Sequence, residues 1–296
     1  MNKLPSNERD NMKLVIISGR SGSGKSTALN VLEDLGFYCI DNLPVALLPS
    51  LVVQVQEEKL ATQEVAVSID ARNTPVDLAN FADIIQQLSL CDSKLEIVYL
   101  DAHTDTLLTR FSATRRKHPL TGPDTPLLEA IKVESDLLLH IKEMADLNVD
   151  TTHLSIHQLR SIIKNRVVQK QGEEMSLLFE SFGFKHGIPK DSDLVFDVRC
   201  LPNPYWDPML RQFTGQDGVI VDFLSKEPTV NAMFKDISQF LQSWLPQFQQ
   251  NNRTYMTVSI GCTGGQHRSV YMAERLLAHY QETYGNVQLR HRELNP

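Results

Sequence analysis

Short apolar runs alternate with amphipathic stretches through the first 170 residues of the chain. The runs at 14–18, 37–40, 65–69 and 97–100, with a weaker one near Val149, have the length and composition of buried strands. Between them, apolar positions recur every three or four residues over 27–35, 77–88, 105–114, 126–144 and 155–168, which reads as helix. The first of these stops at Gly36, where a left-handed capping residue is expected. Strand and helix alternating at this spacing predict an α/β unit, a parallel sheet with helices on both faces.

The texture changes after 171–174. Pro and Gly become frequent (Gly183, Gly187, Pro189, Pro202, Pro204, Pro208), and aromatics gather at 179–184 and at Tyr205-Trp206. A helix near 230–245, a strand at 255–260 and a last helix over 269–284 predict a second α/β domain. The boundary is set at about residue 170, giving domains 1–170 and 171–296.

Composition narrows the class. Among the 296 residues, 42% are apolar and 22% charged, which excludes disorder, collagen and coiled coil as the main architecture. The longest aliphatic run near the start is 14–17, far below the roughly 20 residues of a membrane span. Glu8 and Asp10 precede any apolar stretch, unlike a secretory leader, so a soluble cytoplasmic protein is expected. Cys39, Cys91, Cys200 and Cys262 are widely spaced and form no CxxC pair, against a disulfide framework or a zinc site. The first three, in apolar surroundings, are expected to be inert core residues. Net charge is −7, and neither half is basic overall, so any nucleic-acid contact must come from a local patch.

The candidate chemistry lies in two loops, each between a predicted strand and a predicted helix. Gly19-Arg20-Ser21-Gly22-Ser23-Gly24-Lys25-Ser26 fits GxxxxGK[ST] at every specified position. The glycines let several backbone N–H groups turn toward one phosphate, and the helix beyond Gly24 adds its positive end. Lys25 would then reach the β- and γ-phosphates, and the Ser26 hydroxyl would bind Mg²⁺. A carboxylate is needed beside the metal, and Asp41, Asp70 and Asp101 each follow an apolar run. Asp101 closes the best strand-then-Asp pattern and is taken, with Lys25 and Ser26, as catalytic. Arg110, Arg115, Arg116 and Lys117 read either as a cationic lid over the phosphates or as a solvated helix end.

The second loop, Gly261-Cys262-Thr263-Gly264-Gly265-Gln266-His267-Arg268-Ser269, contains CxxGxxRS, the signature of cysteine phosphatases. N–H groups and an Arg clamp would hold a phosphate there, and a thiol at a helix N-terminus can act as nucleophile. Gly261 stands where such enzymes have His, and the sequence offers no obvious general acid. Binding of phosphate or a phosphosugar without turnover is the preferred reading, beside a working phosphatase and a purely structural glycine turn. Lys185-His186-Gly187 and 203–208 read as polar, rigid turns of the kind that border sites.

With the blocks 18–26, 33–39, 41–44, 68–73, 180–189, 195–199, 201–204, 206–208 and 260–271 in this order, the chain resembles the RapZ-type RNase adapters and YvcJ-like P-loop nucleotide-binding proteins. The resemblance spans nearly the whole chain. It implies a kinase-like P-loop NTPase domain that binds ATP at 19–26, GTP binding at Asp70, Ala71, Arg72 and Asn73, and weak ATPase and GTPase activity. It also implies that the loop at Cys262, through Thr263, Gly264, His267 and Arg268, senses glucosamine 6-phosphate. The enteric members form homo-oligomers that bind a small regulatory RNA and present it to RNase E. Those members end in a basic tail, whereas this chain ends Arg290-His291-Arg292-Glu293-Leu294-Asn295-Pro296 and has Tyr205 in place of a His. A small-molecule P-loop kinase is the alternative reading of the first loop.

Overall fold

The computed structural model describes residues 12–58, 64–89, 93–114, 116–168, 175–251 and 253–294. The chain divides into two compact units, Met1–Val168 and Gln169–Pro296.

In the first unit the elements follow in the order β1 (Met12–Gly19), α1 (Lys25–Asp34), β2 (Tyr38–Ile40), α2 (Leu48–Glu58), β3 (Glu64–Ser68), α3 (Pro75–Ala79), α4 (Phe81–Leu88), β4 (Ser93–Asp101), α5 (Thr104–Thr114), α6 (Leu127–Leu137), α7 (Leu139–Glu143), β5 (Leu147–Asp150) and α8 (Ile156–Ile162). The five strands pair in the order β2-β3-β1-β4-β5, all parallel. Side chains of the central strand β1 alternate between two covered faces. Leu14 and Ile16 join Val52, Val55, Phe81, Ile85 and Ile141 in one core cluster. Val15 and Ile17 are equally buried, and α1 packs against both β1 and α8. The parallel α/β unit expected from the sequence pattern is therefore present. Two predicted helices are each broken in two, 77–88 at Asn80 and 126–144 at Leu138, and α2 adds a helix after Pro44. The segment Ile163–Val168, expected as the end of a helix, is wound as a π-helix.

The second unit contains β6 (Ser176–Gly183), β7 (Leu194–Asp197), α9 (Gly218–Ser225), α10 (Pro228–Gln250), β8 (Tyr255–Cys262), α11 (Arg268–Tyr280) and β9 (Val287–His291). Its sheet is also parallel, in the order β7-β8-β6-β9. Leu177, Phe179, Met256, Val258 and Ile260 pack against Ile220, Leu241 and Leu276 of the three helices. Every residue of β6 is buried, including Ser176, Glu180 and Ser181, which is why its run did not read as a strand.

Cys200 is exposed rather than in a core, Cys39 is half-buried, and Cys91 lies outside the described residues. Among the described residues no helix is long and apolar enough to cross a membrane.

Candidate functional site

β1 delivers the chain into the loop 19–26 at the carboxyl end of the first sheet. Gly19, Gly22 and Gly24 all take the left-handed backbone region. At Gly19 a side chain would also collide with the Leu100 carbonyl of neighbouring β4. α1 then starts at Lys25 with no side-chain cap and no acidic residue in its first turn, so its leading N–H groups remain available to an anion. A cavity of about 870 Å³ opens over this loop. Residues 21–27 line it together with Asp41, Asp70, Arg72, Arg110, Arg116 and Lys117.

Lys25 Nζ donates to the Gly19 carbonyl at 2.7 Å and lies 4.0 Å from Asp70 Oδ2. Burial pulls the Lys25 ammonium below its ordinary range, while the negative charges of Glu134 and Asp70 oppose that. For Asp70 burial alone would raise the carboxyl, but hydrogen bonds from Arg72 and the nearby Lys25 charge hold it below the usual range. Arg72 grips Asp70 with Nε and Nη2, the latter at 2.8 Å, and Nη2 is 3.8 Å from Asp41. Asp41 and Asp70 thus stand on the wall that carries Lys25 and Ser26.

Asp101 does not stand there. Its Oδ1 accepts from Arg20 Nε at 2.7 Å and its Oδ2 from Lys142 Nζ at 3.0 Å, and it is absent from the cavity wall. Arg20, expected at the nucleotide, is spent on Asp101, Thr104 Oγ1 and the Ala102 carbonyl. The strand-then-Asp pattern that singled out Asp101 marks a strand end correctly but does not distinguish a metal carboxylate from a buried ion pair. Of the four residues 70–73, Asp70 and Arg72 face the cavity, and Ala71 is buried away from it. Asn73 ties the chain at 41–45, accepting from Val45 N–H at 2.8 Å and donating to the Leu43 carbonyl at 3.3 Å.

Three supporting residues carry no sequence motif. Glu134 is fully buried behind the loop and accepts from Ser21 N–H at 2.8 Å, from Ser21 Oγ at 2.7 Å and from His118 Nε2 at 3.0 Å. Leu120 N–H donates to His118 Nδ1 at 3.1 Å, which assigns the imidazole proton to Nε2 and makes His118 the donor. The segment carrying Arg116 and Lys117 is thereby rooted to the phosphate loop through Glu134. Thr151 completes the set, its hydroxyl 2.9 Å from the Ser23 carbonyl. Arg110 Nη1 reaches both Thr151 Oγ1 and the Gly22 carbonyl at 3.0 Å. Arg110 is therefore a clamp on the loop, while Arg115 lies outside the described residues.

In the second unit, β8 ends at Cys262 and α11 begins at Arg268. Cys262 Sγ accepts from Gly265 N–H at 3.2 Å and from Ser269 Oγ at 3.1 Å. Burial alone would raise this thiol; the hydrogen bonds from Ser269 and Gly265 and the Arg268 charge bring it below its ordinary value. Arg268 Nη1 donates to the carbonyls of Arg199 at 2.7 Å and Leu201 at 3.0 Å, and Nη2 lies 3.4 Å from Thr263 Oγ1. His267, at the helix start, is buried, and burial lowers its imidazole. Lys185 is near Gly264, and a side chain at Gly265 would run into the Glu293 carboxylate. Trp206 is exposed, and the turn carrying it and Tyr205 is fixed by Asn203 Oδ1 accepting from Tyr205 N–H at 3.4 Å. Arg290 and Arg292 turn inward to Glu180, at 3.1 and 3.8 Å, and are not a free basic patch.

Among the described residues no cluster of three or more His, Cys, Asp or Glu is arranged to hold a metal ion. The RapZ-like N-terminal domain family matches residues 12–171, and the RapZ C-terminal domain family matches residues 175–295. A nucleotide-binding protein of Marinobacter nauticus is 58% identical over 96% of this chain and 97% of its own length. One from Hahella chejuensis is 57% identical over 96% and 99%. Among solved structures, a sugar kinase from a Janibacter species aligns with 52% of this chain and 92% of its own, at 15% identity and a TM-score of 0.36.

Proposed function

The chain belongs to the RapZ family of nucleotide-binding proteins, and we propose that it is a regulator that binds and slowly hydrolyses ATP and GTP in its first unit and takes a phosphorylated amino sugar in its second. The observation that carries the nucleotide part is the cavity over 21–27, where the free N-terminus of α1, Lys25, Arg72, Arg110, Arg116 and Lys117 converge. Five cations lining one cavity, with Arg72 anchored on Asp70 and Arg110 on the loop itself, suit a triphosphate.

Mg²⁺ takes oxygen donors. The Ser26 hydroxyl and the Asp41 and Asp70 carboxylates on this wall form such a set, and they would hold the ion. When bound, it would neutralise charge on the phosphoryl oxygens. Lys25 would leave the Gly19 carbonyl for the phosphates, keeping Asp70 as its counter-charge. Arg116 and Lys117 would bring positive charge to the outer phosphate, their position set by His118 and Glu134.

Replacing Lys25 by Ala is expected to weaken ATP and GTP binding by about tenfold to a hundredfold, roughly the worth of one or two charge-assisted hydrogen bonds. Titration with a fluorescent nucleotide reads this directly, and unchanged affinity would remove the site. A second comparison separates the carboxylates. Asp70→Asn should lower hydrolysis at least about tenfold with the fold intact, whereas Asp101→Asn should act mainly on thermal stability by unpairing Arg20 and Lys142. The reverse outcome would return the metal role to Asp101.

The loop 262–269, with its N–H groups, Arg268, His267 and the neighbouring Lys185, is the anion site for the sugar phosphate, for which glucosamine 6-phosphate is the expected ligand. Homo-oligomerisation and presentation of a small RNA to RNase E come from the family resemblance, and the inward-facing Arg290 and Arg292 give them no support. Transfer of the γ-phosphate to a small acceptor rather than to water would favour the kinase alternative.

A further inference from the structure

We propose that the loop at Cys262 is a phosphomonoesterase centre, in which the Cys262 thiolate takes the phosphoryl group from a small phosphate monoester and water then removes it. Turnover is added here to the anion-site reading above, on which it rests.

The sulfur is built as an anion. Cys262 is 3% exposed, and two donors converge on it: the Gly265 N–H at 3.2 Å and the Ser269 hydroxyl at 3.1 Å. A loop that only binds phosphate needs its N–H groups for the ligand and has no use for a serine hydroxyl directed at a thiol. The N-terminus of α11, thirteen residues long and without a side-chain cap, opens at the same loop.

Independent groups point to a ligand. Arg268 is 5% exposed; carbonyls brace its Nη1, Nη2 reaches into the loop toward Thr263, and Nε is buried with no partner. His267, 6% exposed, also has Nε2 buried without a partner. An unpaired buried guanidinium N–H is rare, and one held on a phosphate-type loop fits a trigonal or tetrahedral oxyanion.

The acid that the sequence did not reveal is Glu293. Its carboxylate packs on Gly265, and Oε2 is buried with no hydrogen-bond partner. Burial raises this carboxyl, so it keeps a proton to higher pH than an exposed glutamate.

In the first step a sulfur lone pair attacks phosphorus. The S–P bond forms as the ester P–O bond breaks, and the departing oxygen takes the Glu293 proton. In the second, water attacks phosphorus and gives a proton back to Glu293. The S–P bond breaks, releasing inorganic phosphate and the thiolate. Because the sulfur lies at the bottom of its cradle, the substrate is a small monoester.

The test uses the full chain under reducing conditions, with p-nitrophenyl phosphate and a hexose 6-phosphate as substrates between pH 5.5 and 7.5. Phosphate release should fall at least about a hundredfold in Cys262→Ser. In Glu293→Gln it should fall more for the alkyl than for the aryl ester, since the poorer leaving group needs the proton more. Calorimetric titration with inorganic phosphate separates the two readings. Binding without release of phosphate from either ester overturns turnover and leaves the anion site, whereas absence of binding overturns both. Should Cys262→Ser fail to fold, site-resolved alkylation of the wild-type thiol decides. Half-maximal reaction below the ordinary thiol pKa of about 8.5, slowed by phosphate, supports the activated thiolate, and a value at or above it overturns the proposal.

Discussion

Glu134→Ala is expected to destabilise the first unit by about 3–5 kcal/mol and to abolish nucleotide binding at ordinary temperatures, although Glu134 is no part of the sequence motif. Three donors converge on this carboxylate: Ser21 N–H, Ser21 Oγ and His118 Nε2. All are buried, so water cannot replace the lost acceptor. Each unsatisfied donor costs about 1–3 kcal/mol, less whatever the hydroxyl recovers by rotating. Glu134→Gln should be far milder. Its carbonyl can stand at the Oε2 position and accept from both Ser21 N–H and His118 Nε2, while its amide donates to Ser21 Oγ, so what is lost is the charge. Loss of Glu134 also takes away the charge that helps keep Lys25 protonated. Denaturant unfolding read from a probe in the first unit, with ATP titration at low temperature, checks both halves. A variant that unfolds like the wild type would mean that Glu134 does not support the loop.

That residue also marks how far the sequence could be read. The phosphate loop was legible because it is a local problem: eight consecutive positions, three of them glycines in left-handed conformations, between a strand and a helix. The parallel sheet was legible because strands buried on both faces become continuous apolar runs, as in β1. What supports the loop is not local. Glu134 and Thr151 reach it across 113 and 128 residues, His118 backs Glu134 from 16 residues away, and no periodicity announces them. Asp101 shows the converse. Its position after an apolar run is identical in pattern to that of a metal carboxylate, and only the placement of Arg20 and Lys142 reveals an ion pair. In the second unit the run 176–183 does not read as a strand because Glu180 and two serines interrupt it, yet those polar residues are as buried as their neighbours. A buried charge is invisible to hydropathy unless its partners are known. Here they come from the last strand and the turn just after it, more than a hundred residues on.

Glu180 should therefore govern how the second unit responds to pH. It is fully buried on β6; Ser259 Oγ is 3.3 Å from Oε2, and Arg290 Nη1 is 3.1 Å from Oε1. Burial raises its carboxyl, and nearby Asp191 adds to the rise, against the pull of Arg290, Arg292 and Ser259. The net result is a value pushed up to about 7 from 4.5. Between those two values the folded chain holds a proton that the unfolded chain has released. Stability therefore falls as pH rises across that window and levels off above it. The loss attributable to this one group is on the order of 3 kcal/mol. Glu180→Gln keeps the shape, removes the titration and should abolish that part of the pH dependence. The difference in unfolding free energy between wild type and variant, measured at pH 5 and again at pH 8, cancels every other titrating group. It should move by about 3 kcal/mol in favour of the variant as pH rises. A difference that stays flat would mean that Arg290 and Arg292 fully compensate the buried charge. A difference that moves the other way would mean that they hold the carboxylate ionised more firmly than water does.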